Sequence, residues 1–241
     1  MNKKIFIGNW KMNKLKSEVS YFADNFLSKS LPEHDIRLAV PFLHINTCNE
    51  LFQNKMRVGA QNCHWEDSGA YTGEVSPLML KDAGADFVII GHSERRLHQG
   101  DSNESCLRKI ESALKNNLEV VLCVGEGKDQ RENGTHEEFV SNQLNAIFQK
   151  SELIDTNKII IAYEPIWSIG TGLIPETEQI AGMTHFIKSE IKSKEGIKVI
   201  YGGSVKPSNI SEIMSVKELD GVLPGGASLD PEIFFKLISQ I

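Results

Sequence analysis

"KIIIAYEPIWSIGTG", residues 158–172, runs through five apolar positions, Ile159 to Tyr163, before it reaches one carboxylate, Glu164. A run this short, apolar at every position and rich in isoleucine, is a strand covered on both faces, as in a parallel sheet with helices packed over it. Pro165 and Trp167 then stiffen the chain, and Gly170-Thr171-Gly172 loosens it. Glu164 stands where a rigid element gives way to a loop.

Outward from this stretch, similar runs recur about every 30 residues. Upstream lie "KIFIGNW" (4–10), "IRLAV" (36–40), "RVGAQ" (57–61), "DFVII" (86–90) and "EVVLCVG" (119–125); downstream lie "KVIYGG" (198–203) and "LDGVLPGG" (219–226). Helical segments separate them, each with a start signal. "THEE" (135–138) has the spacing of a capping box between Thr135 and Glu138. "SP" (76–77) and "DPE" (230–232) put a capping side chain before a proline at the first helical position. "DSNE" (101–104) offers an acidic cap to a helix with Cys106, Ile110 and Leu114 on one face. Strand then helix, eight times over with no linker or composition break, predicts an α/β fold: a single closed (β/α)8 barrel occupying one domain, 1–241. An open doubly wound sheet competes, but it needs fewer units, and its fingerprint G-x-G-x-x-G is absent.

The 241 residues are 40% hydrophobic and 24% charged, enough for a sizeable core, and the net charge is −6. An acidic surface argues against nucleic acid or an anionic membrane as partner, while leaving a local phosphate site open. Cys48, Cys63, Cys106 and Cys123 are widely spaced, which fits reduced thiols better than a disulfide framework or a zinc site. The start, "MNKKIFIGNWKMN" (1–13), has too short an apolar patch for a signal peptide, and no run approaches the roughly 18 residues of a membrane span. A cytoplasmic protein is expected.

In an eightfold barrel, chemistry gathers at the carboxyl ends of the strands. Those positions hold Asn9 and Lys11, Gln61 and Asn62, His92 and Glu94, Glu126, Glu164, Gly202 to Ser204, and Gly225 with Gly226. Taken singly, Lys11 reads as a solvated loop lysine, His92 as a satisfied structural histidine, and each glycine pair as a tight turn. Together they place a base, an acid and a cation at one barrel end. The two glycine pairs also follow the seventh and eighth strands, where this fold often builds a phosphate cradle from backbone amides. No metal-ligand spacing, nucleophile elbow, flavin loop or nicotinamide loop is present, so the set reads as proton transfer beside a carbonyl with no cofactor and no metal.

"GNWKMN" (8–13), "AQN" (60–62), "GAYTGE" (69–74), "GHSERR" (91–96), "LCVGE" (122–126), "AYEPIWSIGTG" (162–172), "YGGSV" (201–205) and "GGASL" (225–229) resemble, in order along the chain, the triosephosphate isomerase family. That enzyme gave the TIM barrel its name and is a worked example of barrel catalysis. The resemblance implies interconversion of D-glyceraldehyde 3-phosphate and dihydroxyacetone phosphate through an enediolate, in glycolysis and gluconeogenesis. It assigns Glu164 as catalytic base and His92 as a neutral electrophile, its imidazolium disfavoured at a helix N-terminus. Lys11 becomes the cation for phosphate and developing charge, and Asn9 a hydrogen-bonding group on the substrate oxygen. Gly170, Ser204, Gly225 and Gly226 match phosphate donors; Glu94 and Cys123 match supporting positions. Pro165, Ile166, Trp167, Ser168, Ile169, Gly170, Thr171, Gly172, Leu173, Ile174 and Pro175 match a mobile lid that excludes water from the enediolate. Thr72 matches a dimer-interface threonine, which implies a homodimer.

Two alternatives remain at this level: a phosphometabolite-binding barrel that has lost turnover, and another barrel isomerase or lyase acting on a larger sugar phosphate, including a Schiff-base enzyme using Lys11. Both are disfavoured, the first because Lys11, His92 and Glu164 are all intact, the second because the loops are short and a second phosphate cradle is absent. Three positions depart from the family pattern: Pro175 replaces the usual alanine at the second hinge, Pro224 an aliphatic residue before the glycine pair, and Asp101 a glutamate. Proline at 175 has no N–H to give the tyrosine matching Tyr201, and the hinge is expected to be stiffer for it.

Overall fold

The computed structural model describes residues 3–53, 55–150, 154–169, 173–191 and 196–241. Its first half alternates β1 (Ile5–Asn9), α1 (Lys16–Leu27), β2 (Asp35–Val40), α2 (Ile45–Phe52), β3 (Arg57–Ala60), α3 (Pro77–Asp82) and β4 (Phe87–Ile90). Then come α4 (Ser93–His98), α5 (Asn103–Lys115), β5 (Glu119–Val124), α6 (Lys128–Glu132), α7 (His136–Phe148) and β6 (Ile159–Tyr163). The chain ends with α8 (Thr177–Glu190), β7 (Lys198–Tyr201), α9 (Ile210–Ile213), β8 (Gly221–Val222) and α10 (Pro231–Ile238). All eight strands pair in parallel with their sequence neighbours, and β1 pairs with β8 through Ile5 and Gly221, closing the barrel.

Strand periodicity divides the core in two. Ile5, Ile7, Ile160, Ala162, Ile200 and Leu223 fill the barrel interior, whereas Phe6, Ile159, Ile161, Tyr163 and Val199 face the helices. That parity aims the functional groups. One step of two residues beyond Ile7 is Asn9, beyond Ala162 is Glu164, beyond Ile200 is Gly202, and beyond Leu223 is Gly225. Each continues the inward row of its strand at the mouth of the barrel.

The opposite end is closed by charge. Arg37, 2% exposed, spans Asp35 at 2.6 Å and Glu119 at 2.7 Å, and Arg57 adds a second cation on Glu119 at 2.8 Å. Burial pushes both carboxyls up, but the paired guanidinium groups outweigh it and hold them below their ordinary values. Among the described residues no helix is long and apolar enough to cross a membrane.

The local signals fare unevenly. Ser76 accepts from the Met79 amide and Asp230 from the Glu232 and Ile233 amides, each with proline at the first helical turn, as expected. Thr135 does not form its capping box. Its backbone sits at φ −100, ψ 13 rather than extended, and its amide is already given to Gln130 O at 2.9 Å. Asp101 is not the cap of α5 either: Ser102 takes that place, accepting from Ser105 N at 3.1 Å. Asp101 turns inward to Lys109 at 2.7 Å and Arg95 at 3.0 Å, a buried network that also ties Lys109 to Asn62 at 3.0 Å. The eighth strand is shorter than its apolar run, two residues only. The Pro224 carbonyl nevertheless accepts from Asn9 N at 2.9 Å, so β8 still guides the β1 end where Pro224 cannot donate.

Candidate active site

Glu164 is 2% exposed and its amide donates to Val124 O at 2.8 Å, so the base-bearing residue is pinned to the end of β5. Its Oε2 accepts from Ser93 N at 2.8 Å, at the start of α4, where free amides favour a carboxylate. Its Oε1 lies 3.0 Å from His92 Nε2, close enough for strong charge attraction although no donor is aligned on that oxygen. Gly202 lies against it: a Cβ there would stand 3.0 Å from Glu164 Cγ.

His92 is the N-cap of α4. Its Nδ1 accepts from Glu94 N at 3.2 Å, so the neutral ring carries its proton on Nε2, facing Glu164. Burial disfavours the imidazolium, but the adjacent Glu164 charge, with help from Glu94, outweighs burial and raises the His92 pKa above its ordinary value. The Glu164 carboxylate against the ring thus works against the neutral imidazole that the family resemblance implies, while the Nδ1 that accepts from Glu94 N works for it.

Lys11 reaches the same cavity from β1. Its backbone takes the left-handed conformation, φ 52, which costs a non-glycine residue about 1 kcal/mol. Two polar contacts hold it there: Lys11 N donates to Asn9 Oδ1 at 3.0 Å, and Gln61 Nε2 donates to Lys11 O at 3.0 Å. Lys11 Nζ pairs with Glu94 Oε1 at 2.5 Å, and its Cε would meet a Cβ on Gly225 at 3.2 Å. The cation therefore bridges the histidine side of the mouth and the glycine pair after β8. The carboxyl of Glu94 is pushed up by burial and pulled down further by Lys11 and His92, which leaves it below its ordinary value.

Asn9, Lys11, His92, Glu164, Ser204, Gly225 and Gly226 line one cavity of about 690 Å³, a volume ordinary for a small-molecule site. The amides of Ser204, Gly225 and Gly226 donate to no acceptor among the described residues, which is how an anion cradle looks from the protein side. Gly226 begins a short 3-10 turn, Gly226–Ser228, so its amide is one of the free ones at a helical start. Cys123 lies inside the barrel, fully buried beside Glu164. Burial first, and the Glu164 charge second, push its thiol well above the ordinary range. Among the described residues no group of three or more histidine, cysteine or acidic side chains is placed to hold a metal ion.

The expected lid begins as a tight turn. Pro165 precedes a 3-10 turn, Ile166–Ser168, and Ser168 Oγ donates back to Pro165 O at 2.9 Å. Trp167 Nε1 donates to Glu126 Oε1 at 2.8 Å, and Tyr163 Oη to the same oxygen at 3.0 Å. Ile169 lines the cavity, Leu173 and Ile174 are exposed, and Pro175 is buried just before α8. Gly170, Thr171 and Gly172 lie outside the described residues. The Tyr201 hydroxyl is buried with no aligned partner among the described residues, and burial pushes the phenol up to about 12 with Ser168 beside it as a small counterweight. Thr72 sits in an exposed turn and lines neither this cavity nor the second one that Asn9, Lys11 and His92 also border, on the side of Met12 and Leu43.

Asn9, Lys11, His92, Glu164, Ser204, Gly225 and Gly226, all named from the sequence, line this cavity, but the sequence does not show how they meet. Ser93 was passed over, although "GHSE" places a small residue one step beyond the capping histidine. Arg131 was missed too: it lies 3.8 Å from buried Glu126 and above the Trp167 ring. A lone arginine on a short exposed helix carries no sequence signal for that.

The sequence model of the family described as Triosephosphate isomerase matches residues 4–241. Among curated relatives, the triosephosphate isomerase of Trichodesmium erythraeum is 42% identical over 99% of both chains. That of Dictyoglomus thermophilum is 42% identical over 100% of both, and that of Finegoldia magna 43% identical over 99% of both.

Proposed function

The chain belongs to the triosephosphate isomerase family, and from that premise we propose which of its residues carry the reaction and how. The enzyme is an isomerase that interconverts D-glyceraldehyde 3-phosphate and dihydroxyacetone phosphate through an enediolate, the step that links the two triose phosphates in glycolysis and gluconeogenesis. Glu164 is the base that moves the carbon-bound proton. Lys11, His92 and Asn9 stabilise the oxygen on which charge develops, a task worth roughly 3 kcal/mol per well-placed donor. The amides of Ser204, Gly225 and Gly226, with Gly170 on the lid, hold the phosphate.

The single observation that carries this reading is the convergence of one buried carboxylate, one capping histidine and one strained lysine on a cavity whose remaining wall offers free amides. Glu164 is held by Ser93 N and drawn to His92, so it must leave them to reach a substrate carbon. That departure removes the charge that raises the His92 pKa and leaves burial to lower it. The ring then meets the substrate oxygen as a neutral Nε2–H donor. One movement thus releases the base and resets the acid. Closure of the lid from Pro165 to Pro175 excludes water, which strengthens these electrostatics and protects the enediolate from losing phosphate.

A base that removes and returns a proton exchanges it with solvent. Glyceraldehyde 3-phosphate turned over in D2O should give product carrying carbon-bound deuterium, read by mass spectrometry or proton NMR. Turnover that carries no deuterium to carbon even after prolonged equilibration of the two triose phosphates, through many openings of the lid, would point to direct hydride migration and remove the role assigned to Glu164.

Two further proposals accompany the reaction. A homodimer is supported by an apolar rim beside the active site, with Met12 96%, Leu43 89% and Leu97 72% exposed, and by the wholly exposed turn that carries Thr72. A cytoplasmic location is supported by Cys48, Cys63, Cys106 and Cys123, all buried as free thiols.

A further inference from the structure

The wall of the active-site cavity is charged oppositely to the molecule. The chain carries a net charge of −6, yet the cavity lining holds Lys11, Lys206 and Lys236 against one acid, Glu164. Lys11 is paired with Glu94, and Glu164 is held by Ser93 and His92. Lys206 and Lys236 have no such offset: neither ammonium has an ion-pair or hydrogen-bond partner among the described residues, and both side chains are exposed. Two unpaired cations therefore face one cavity of a protein with more acids than bases.

Their placement is not random with respect to the phosphate cradle. Lys206 is two residues beyond Ser204, and Asn209 ties the two together, accepting from Lys206 N at 2.8 Å and donating to Ser204 O at 3.0 Å. Lys236 rides on α10, which follows the Gly226–Ser228 turn and is fixed at its start by the Asp230 cap and Pro231. One lysine thus accompanies each half of the cradle, on backbone held by its own capping contact.

We propose that Lys206 and Lys236 form an outer docking site for a phosphate dianion, which captures the triose phosphate from an otherwise repelling surface before its phosphate passes inward to the amides. This rests on the isomerase reading of the same cavity. The physical basis is that like charges lining a low-dielectric cleft focus field lines and raise encounter rates, an effect that salt screens. Such a site acts on association and leaves the chemical step alone.

The test is a charge series at both positions: Lys206→Gln with Lys236→Gln, the same pair changed to Glu, and the same pair changed to Arg. At about 20 mM ionic strength the Gln pair should lose roughly fivefold in kcat/KM for glyceraldehyde 3-phosphate, the Glu pair more, and the Arg pair nothing. At about 300 mM the differences should shrink to within about twofold, with kcat unchanged throughout. Inorganic phosphate, titrated by calorimetry at both ionic strengths, should weaken in the same order, whether or not the parent turns over triose phosphate. A parent that binds phosphate in this graded way but lacks turnover would defeat the isomerase reading and leave the docking site standing. Equal kcat/KM and equal phosphate affinity across the series at low salt would overturn the docking site. So would a loss that persists at high salt or appears in kcat, since either would mark a structural role for the two lysines.

Discussion

At the scale of single residues, the central relation is between Glu164 and His92, which are far apart in sequence and 3.0 Å apart in space. The sequence shows a carboxylate at one strand end and a histidine at another, and barrel parity makes both point to one mouth. It does not show that the carboxylate rests against the histidine, because that depends on Ser93 N offering a free amide on the far side. The contact sets a protonation state that can be measured. His92 should titrate above its ordinary value of 6.5 in the unliganded parent, followed by NMR of the labelled ring. Glu164→Gln should bring it below that value, since burial then acts with only Glu94 against it. The sign for stability follows: a raised His pKa stabilises the fold fully below pH 6.5, and that part is lost as pH rises through the folded value. A His92 pKa unmoved by Glu164→Gln would mean that the charge on Glu164 is not what sets it.

At the scale of elements, the strands were legible because a both-faces-buried strand leaves an unbroken apolar run, and all eight runs became strands. Helix starts were legible only where proline reinforced the cap, at Ser76-Pro77 and Asp230-Pro231. Thr135 and Asp101 failed as caps because a nearby backbone or buried cation made a better claim on them. Those competitors are visible only in three dimensions. The lid is where this chain's elements are most its own. Pro175 has no N–H, and the Tyr201 hydroxyl, buried on β7, has no aligned partner among the described residues. Because proline already restricts the hinge, Tyr201→Phe should lower kcat by less than about threefold, roughly the weight of half a typical hydrogen bond. The same change in a relative with alanine at that hinge should cost more. An equal or larger loss here would show that Tyr201 latches the lid by another route.

At the scale of the whole molecule, the barrel separates its two ends. The Arg37 cluster closes one with fully paired charge, and the other gathers groups that are strained, unpaired or poised: Lys11 at φ 52, free amides after β7 and β8, a histidine raised by its neighbour. Charge total and composition spoke to neither end, since a net −6 hides a cavity whose lining carries Lys11, Lys206 and Lys236 against the single acid Glu164. Association of two copies belongs to this scale too. Exposed Met12, Phe42 and Leu43 line the mouth of a second cavity that Asn9, Lys11 and His92 also border, an apolar patch of the kind that marks an interface. Sedimentation velocity should therefore find a dimer, and Leu43→Glu with Thr72→Arg should yield monomers with lower kcat, because Lys11 and Asn9 line that mouth as well. A parent that sediments as a monomer would remove the assembly.

Catalysis by this barrel depends on Glu164 as the base. The direct measurement is steady-state turnover of glyceraldehyde 3-phosphate, in a coupled assay, by the parent and by Glu164→Gln, with folding checked by circular dichroism. The parent should turn over, and the variant should lose about 10³-fold in kcat with KM changed little, since general-base catalysis is worth roughly 10² to 10⁴ and amide for carboxylate preserves the shape of the cavity. A folded Glu164→Gln protein that keeps kcat within a few fold of the parent would contradict the account.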